Sequence, residues 1–354
     1  MQKKVLIIHH EGSYGGGSKS ALLVGKMLRE AGFKVEFLIA NNELDFNNIL
    51  RDNGFITYLH NGRMGNISNY SGGPKILSRT FIKNLFFIKS TKKFIINFLK
   101  EKKYDYYIVN SSTMVWLVNY IKNGQKICFV RETKRNNFIS YIQKNFLKKF
   151  DVICFISKYD LNLWKIKDAN VEIIYDCVEV KFFFEKKINS GVKEVLYLGG
   201  ENELKGWNII KKLMNTDIKL NYHIAGYVNE ENKVIGDNIK YYQVVDNVDF
   251  LYEMADVIVL PSTYPHQLMP IFEAGIYKVP VITSDFPLAH EHIKNNFNGI
   301  LVPPNNVDAI IQAILTLDNN YDKKIFMIEN NFLTSQCHTY QSVKNRLLEM
   351  FNKL

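Results

Sequence analysis

The chain has 354 residues, 47% of them hydrophobic, which suits two globular domains with sizeable cores; it carries no short-period repeat or low-complexity tract. Lysines interrupt every apolar run before the length of a membrane span, and the apolar stretch behind the basic start is too short for a secretory signal, so a cytoplasmic protein is expected. The net charge of +10 is uneven: the first 177 residues hold 28 Lys and Arg against 14 Asp and Glu, the remainder 17 against 21, which points to an anionic partner for the first half.

In chain order, Val5-Leu6-Ile7-Ile8 predicts a strand, followed by the glycine-rich turn HHEGSYGGGS and an amphipathic helix. Gly15-Gly16-Gly17 mark the turn, with Ser18 as the expected N-cap. GSYGGGS lacks the G-x-G-x-x-G spacing, so a dinucleotide such as NAD is disfavoured. Further strands are expected over 35–39, 55–59, 106–109, 127–130 and 152–156, separated mostly by helices, the order of a parallel sheet covered on both faces. Cys128 and Cys154 fall inside these runs as buried thiols, and the four cysteines have no metal-ligand spacing.

Two features of this half bear on function. Residues 74–103 interleave nine basic residues with Phe81, Ile82, Phe86, Ile95 and Phe98 at helical spacing. A solvated helix face, a basic helix lying on an anionic membrane surface, and a nucleic-acid contact are the three readings, and no RNP motif, zinc finger or similar element accompanies the last. The strand at 127–130 runs into Arg131-Glu132. Arg131 can contact phosphate or sugar oxygens but cannot serve as a base, and an exposed loop arginine is the equal alternative. Glu132 could orient a hydroxyl.

Residues 178–193 lack a strand core and read as a linker. Strands follow over 195–198, 222–225, 257–260, 281–283 and 300–302, and the last helical segment, 340–354, is expected to return to the first domain. The run VLYLGG ends in Gly199-Gly200, with Lys205-Gly206 ahead of a helix led by Trp207; Lys205 is a point charge suited to a diphosphate. Behind the 257–260 strand come Pro261-Ser262, a polar loop with Pro265, His266 and Gln267, and a helix from about Pro270 with Glu273 in its first turn. A helix start offers free N–H groups to an anion, and Glu273 can cap that helix or accept bonds from sugar hydroxyls.

These blocks together resemble the retaining glycosyltransferases of family four, with Pro261-Ser262, Glu273-Ala274, Lys278-Val279-Pro280-Val281-Ile282, Gly199 and Lys205-Gly206 in register. Gly200 stands where that family has Arg, Pro265 where it has the first of two Glu, and Arg131 where it often has His. The resemblance implies an α/β, GT-B architecture of two Rossmann-like domains facing an inter-domain cleft. It implies residues 1–177 with 340–354 as the acceptor-side domain, 178–193 as linker and 194–339 as the nucleotide-sugar domain. Lys205, Arg131 and Glu132 would be catalytic. Donor binding would fall to Gly16, Gly17, Gly199, Gly200, Lys205, His266, Gln267, Leu268 and Met269, with Glu273 holding the ribose. No D-x-D triplet occurs, so no metal or other cofactor is expected. The implied activity is transfer of a sugar, of hexosyl type and with retention, from a nucleotide-diphosphate sugar to a glycan or lipid-linked saccharide in bacterial surface polysaccharide biosynthesis. The cytoplasmic face of the membrane would be its place and no nucleic acid its partner. A GT-B protein that has lost catalysis and serves as a binding subunit is the alternative.

Overall fold

The structure, a computed structural model, describes residues 2–71, 73–178, 186–245, 247–265 and 269–354. It divides into two units, residues 1–177 with 341–354, and Val178–Tyr340.

The first unit is built on seven parallel strands, β1 (Lys4–His9), β2 (Lys34–Ala40), β3 (Ile56–His60), β4 (Tyr106–Val109), β5 (Gln125–Val130), β6 (Val152–Phe155) and β7 (Val171–Ile173), in the order β3-β2-β1-β4-β5-β6-β7. Val5 pairs with Val35 on one side and Tyr106 on the other. Central strands read as unbroken apolar runs because helices cover both faces, and Val5, Leu6 and Ile7 are fully buried. The winding reverses between β1 and β4, and the loops leaving those two strands flank the crevice where open α/β sheets take ligands.

The helix after β1, Gly16–Glu30, is capped by Gly15 without a side-chain hydrogen bond. Ser18 therefore lies inside the first turn and is not the N-cap. The 74–103 region is organised around the helix Arg79–Glu101, whose N-cap Ser78 accepts from the Phe81 N–H at 3.3 Å. It buries Phe81, Asn84, Thr91 and Ile95 and leaves its lysines outside. The terminal helix Tyr340–Asn352 packs on the first unit from residue 341 onward, with Phe351 against Phe33 and Tyr106 and Arg346 bonded to Glu172 at 2.6 Å.

The second unit carries six parallel strands, β8 (Glu194–Tyr197), β9 (Asn221–Ala225), β10 (Ile239–Tyr242), β11 (Val257–Leu260), β12 (Val281–Ser284) and β13 (Ile300–Val302), ordered β10-β9-β8-β11-β12-β13. Its reversal falls between β8 and β11. The stretch read as linker is tied to this unit where it is described. Lys186 Nζ donates to the Tyr252 carbonyl at 2.6 Å, Asn189 to Asp256 at 2.8 Å, and the Val192 N–H to Asp318 at 2.7 Å. Burial pulls the Lys186 amine down to about 8. Every strand expected from sequence is present within a residue or so at each end. The two unforeseen strands, β7 and β10, are sheet edges. Among the described residues no helix is long and apolar enough to cross a membrane.

Candidate active site

In the second unit the loops that leave β8 and β11 lie edge to edge. The Gly200 N–H donates to the Ala225 carbonyl at 3.0 Å, and Gly200 sits at φ +55°. A Cβ there would stand 2.6 Å from the Tyr227 carbonyl oxygen. The glycine in the family's arginine position is thus fixed by the backbone, and no side chain could be accommodated without moving the loop. Gly206, at φ +92°, lies so close to Pro261 that a Cβ would overlap its carbonyl. Thr263 completes the seam, its N–H donating to Leu204 at 3.0 Å and its hydroxyl to Glu203 at 2.9 Å. Gly199 lies against the end of the buried Tyr197 ring.

Lys205 ends the short turn Glu203–Lys205 on this seam. The residue as a whole is exposed, yet burial around its amine lowers the pKa, and the charge of Glu273 opposes that shift. The Lys205 backbone N–H donates to the Asn202 carbonyl at 3.0 Å, whereas its amine makes no hydrogen bond or ion pair among the described residues. Glu273 is 8% exposed and accepts the Tyr252 hydroxyl at 2.7 Å. Tyr252 is fully buried and stacks on Tyr277 with centroids 5.1 Å apart. The structure therefore brings Lys205 and Glu273 within electrostatic reach of each other.

One local expectation needs correcting. The helix is Met269–Ile276, starting within a residue of the expected Pro270, so Glu273 is its fifth residue and lies just beyond the first turn. Pro270 is tolerated because the first N–H groups of a helix have no partner within it. Gly275 lets this helix close on Ser335, which a Cβ would strike. Met269 begins the helix, while His266, Gln267 and Leu268 lie outside the described residues.

In the first unit the corresponding strand ends hold a connected polar network. Asn110 Nδ2 donates to His9 Nδ1 at 3.0 Å and to the Gly17 carbonyl at 3.1 Å. Arg131 Nε donates to Asn110 Oδ1 at 2.7 Å, Arg131 Nη1 pairs with Asp176, and Ser20 donates to the same Asp176 oxygen at 2.7 Å. The Arg131 side chain is 7% exposed, so it is neither a loose loop arginine nor an uncommitted cation. Glu132 is likewise engaged: it accepts from the Ser112 N–H at 2.9 Å, the Ser112 hydroxyl at 2.6 Å and the Ser111 hydroxyl, holding the start of the 3₁₀ turn Ser112–Tyr120. Gly16 opens the helix with nothing near its absent Cβ, and Gly17 has only the His9 ring at 3.4 Å. His9, Asn110, Asp176 and Tyr252 were not foreseen as members of either cluster. Only Tyr252 had a signal, in the Leu251-Tyr252 pair ahead of the Pro-Ser turn.

Residues 179–333 match the family model described as glycosyl transferases group 1. Over that stretch the chain is similar to the group 1 glycosyltransferases. An uncharacterized 41.2 kDa protein in the cps region of Klebsiella pneumoniae is 23% identical over 279 residues, 69% of this chain and 78% of that protein. An Escherichia coli UDP-Gal:alpha-D-GlcNAc-diphosphoundecaprenol alpha-1,3-galactosyltransferase is 26% identical over 141 residues, 40% of this chain and 31% of that one. Among solved structures, Anabaena HepE in complex with UDP and glucose superposes with a TM-score of 0.77 at 13% identity, covering 100% of both chains. That likeness fixes the fold: two parallel-sheet, Rossmann-like units of GT-B type.

Proposed function

We propose that this transferase moves a hexosyl group, with retention and without a metal, from a nucleoside-diphosphate sugar to a lipid-linked or glycan acceptor of a surface polysaccharide. The observation that carries the reading is the seam in the second unit, where an ammonium without a counter-ion of its own stands within reach of the Glu273 carboxylate. Lys205 would contact the diphosphate and Glu273 the ribose hydroxyls, with Gly199 and Gly200 giving backbone access and the Met269 end of its helix supplying N–H groups. Charge builds on the leaving diphosphate as the glycosidic bond breaks, so a fixed ammonium and fixed amides lower the barrier as well as the binding energy. The bare N-terminus at Gly16 and Gly17 would serve as a further donor of N–H groups.

The acceptor reading draws on the two polysaccharide-linked relatives. Contact with an anionic membrane at the cytoplasmic face draws on residues 74–103, where Leu77 and Phe86 are each 77% exposed beside Lys75, Arg79, Lys83 and Lys89. Leu77 is also held at φ +66°, a conformation costing a bulky residue about 1 kcal/mol or more. Gly200 in a backbone that excludes an arginine, together with an Arg131 already paired to Asp176, favours a second reading, a GT-B protein that binds without catalysing. Calorimetry with UDP in the presence of a chelator tests both. Heat together with turnover of a UDP-sugar supports the transferase, heat without turnover the binding subunit, and no heat removes the nucleotide site.

A further inference from the structure

The opposite edge of the first unit's sheet, away from the crevice at its carboxyl ends, carries a surface of different chemistry. Beside the amino ends of β4 and β5 a cavity of about 350 Å³ lies between the last turns of the helix Arg79–Glu101 and the end of the 3₁₀ turn Ser112–Tyr120. Ile96, Leu99, Tyr107 and Tyr120 give it apolar walls, and Lys100, Lys103 and Lys122 a basic rim. A wider depression of about 770 Å³ shares Lys103, Lys122 and Asn123 with it and continues along the starts of β1, β4 and β5.

No Asp or Glu among the described residues lines the smaller cavity. Two further ammonium groups stand beside it: Lys92 Nζ lies 5.1 Å from the centroid of the Tyr120 ring, and Lys149 Nζ donates to Asn119 Oδ1 at 2.9 Å. The wider depression sets five lysines, at positions 3, 4, 103, 122 and 126, against Asp105 and Asp151. Both carboxylates are partly taken up by strand starts, since Asp105 Oδ2 accepts the Lys4 N–H and Asp151 Oδ2 the Lys126 N–H, each at 2.7 Å. The backbone that presents Lys122 is held in place, with Gly124 at φ +78° and the Gln125 N–H donating to the Asp105 carbonyl at 2.8 Å. Like charges gathered in this way repel one another, and an anion bound among them relieves that repulsion.

We infer that this edge binds an anionic phospholipid, with one acyl chain in the smaller cavity and the phosphate among Lys100, Lys103 and Lys122. The source of that lipid, a bilayer, rests on the reading of residues 74–103 as a membrane contact. A merely solvated basic face has no use for an apolar slot, and a slot for a neutral ligand has no use for an acid-free rim of lysines. The two together fit a hydrocarbon chain with a phosphate at its head. A phosphatidylcholine would bring its quaternary ammonium against the same lysines, where like charges oppose it. An acidic protein or a nucleic acid would engage the lysines and leave the slot empty, so dependence on chain length separates those partners from a lipid.

Titration calorimetry on the full chain, with phosphatidylglycerols held below their micelle-forming concentrations, tests the site apart from any bilayer. Each methylene moved from water into an apolar site strengthens binding about fourfold. Dihexanoyl-phosphatidylglycerol is therefore expected to bind roughly tenfold or more tightly than the dibutanoyl form, since one seated chain is two methylenes longer. Dihexanoyl-phosphatidylcholine should bind at least about tenfold more weakly than its glycerol counterpart. Lys100→Gln, Lys103→Gln and Lys122→Gln together, all at exposed residues, should cost about tenfold or more in affinity with an unchanged urea midpoint. If that midpoint shifts, Lys122→Gln alone makes the comparison, with a loss of about threefold expected. Removing the charges of Lys75, Arg79 and Lys83 should leave the affinity as it was, because they lie roughly 25 Å or more back along the helix, beyond about two Debye lengths. Equal affinity for the two chain lengths, equal affinity for the two headgroups, or indifference to the Lys100, Lys103 and Lys122 changes overturns the inference. Sedimentation with phosphatidylglycerol vesicles but no heat from the dihexanoyl lipid also overturns it while keeping the membrane contact. Heat from that lipid without sedimentation would instead sink the membrane reading of residues 74–103 and leave the lipid site standing.

Discussion

The two units wind their sheets alike, reversing between the first strand and the one that follows the third, but they treat the polar groups at those strand ends in opposite ways. In the first unit Arg131, Glu132, His9, Asn110 and Asp176 are bonded to one another or to the adjoining 3₁₀ turn. In the second, Lys205 is left with an amine that burial makes less basic and a carboxylate nearby that does not pair with it. Position at a topological switch point is therefore not sufficient for a charged residue to be a ligand. What distinguishes the two ends is whether the hydrogen-bonding capacity of the charge is already taken up inside its own unit.

Substitution separates the two cases, and the largest effect belongs to the first unit. Arg131→Ala removes the cation from a largely buried Asp176 carboxylate, which keeps neutral partners such as Ser20, and is expected to cost about 3 kcal/mol in urea unfolding. A loss below about 1 kcal/mol would mean that Arg131 is not the structural charge described here. Lys205→Ala is the mirror experiment: its urea midpoint should match the parent, while kcat falls by roughly 10²–10³ as a leaving-group contact disappears. A turnover equal to the parent's would take Lys205 out of the site and erase the contrast between the units.

The same contrast marks the limit of what the sequence could reveal. Nine of the eleven legible strands are inner ones, which a parallel sheet buried on both faces writes as apolar runs, and the edges β3 and β13 were legible because no Asp, Glu, Lys or Arg interrupts them. Val171–Ile173 and Ile239–Tyr242 escaped because edge strands are half-solvated, and Lys240 breaks the second with a charge. Lys205 and Glu273 were legible through motif spacing around glycines whose backbone leaves no room for a side chain. The state of Arg131 was not, since its partner Asp176 lies 45 residues further on and nothing local announces the pairing. Ser18 misled for a similar reason. A serine after three glycines fits an N-cap, but its hydroxyl is engaged by His9 and the Ser13 carbonyl.

Tyr252→Phe sharpens the account of the second unit with a smaller effect. The phenol donates to Glu273 at 2.7 Å and fixes where that carboxylate points. A hydrogen bond to a charged acceptor is worth about 1.5–3 kcal/mol, and the ring itself stays in place. The Kd for UDP should therefore rise roughly tenfold or somewhat more while that for inorganic pyrophosphate, which has no ribose, stays the same. An equal loss for both ligands would assign Glu273 to the phosphates or to the helix and not to the sugar hydroxyls.

His9 gives the mildest test, and it concerns the first unit's closed network. Asn110 Oδ1 accepts from Arg131, so Asn110 Nδ2 faces His9 and Nδ1 of the imidazole must accept. The ring proton then sits on Nε2, pointing to Ser18 Oγ, whose own hydrogen goes to Ser13 at 2.6 Å. A second proton has no place to go, and burial, helped by the charge of His10, pushes the pKa down to about 3. Between that value and the ordinary 6.5 the unfolded chain takes up a proton that the folded chain refuses, so stability falls as pH is lowered through this window. The slope is at most about 1.4 kcal/mol per pH unit. His10 acts in the opposite sense, because its raised pKa favours the folded state at low pH and that gain is lost as pH rises. Comparing urea unfolding of the parent and His9→Gln at pH 6 and pH 5 removes the His10 contribution, since both proteins carry it. The parent should lose up to about 1.4 kcal/mol more than the variant over that unit. Equal losses would show that His9 is protonated in the folded state and that the network is open to solvent at its centre.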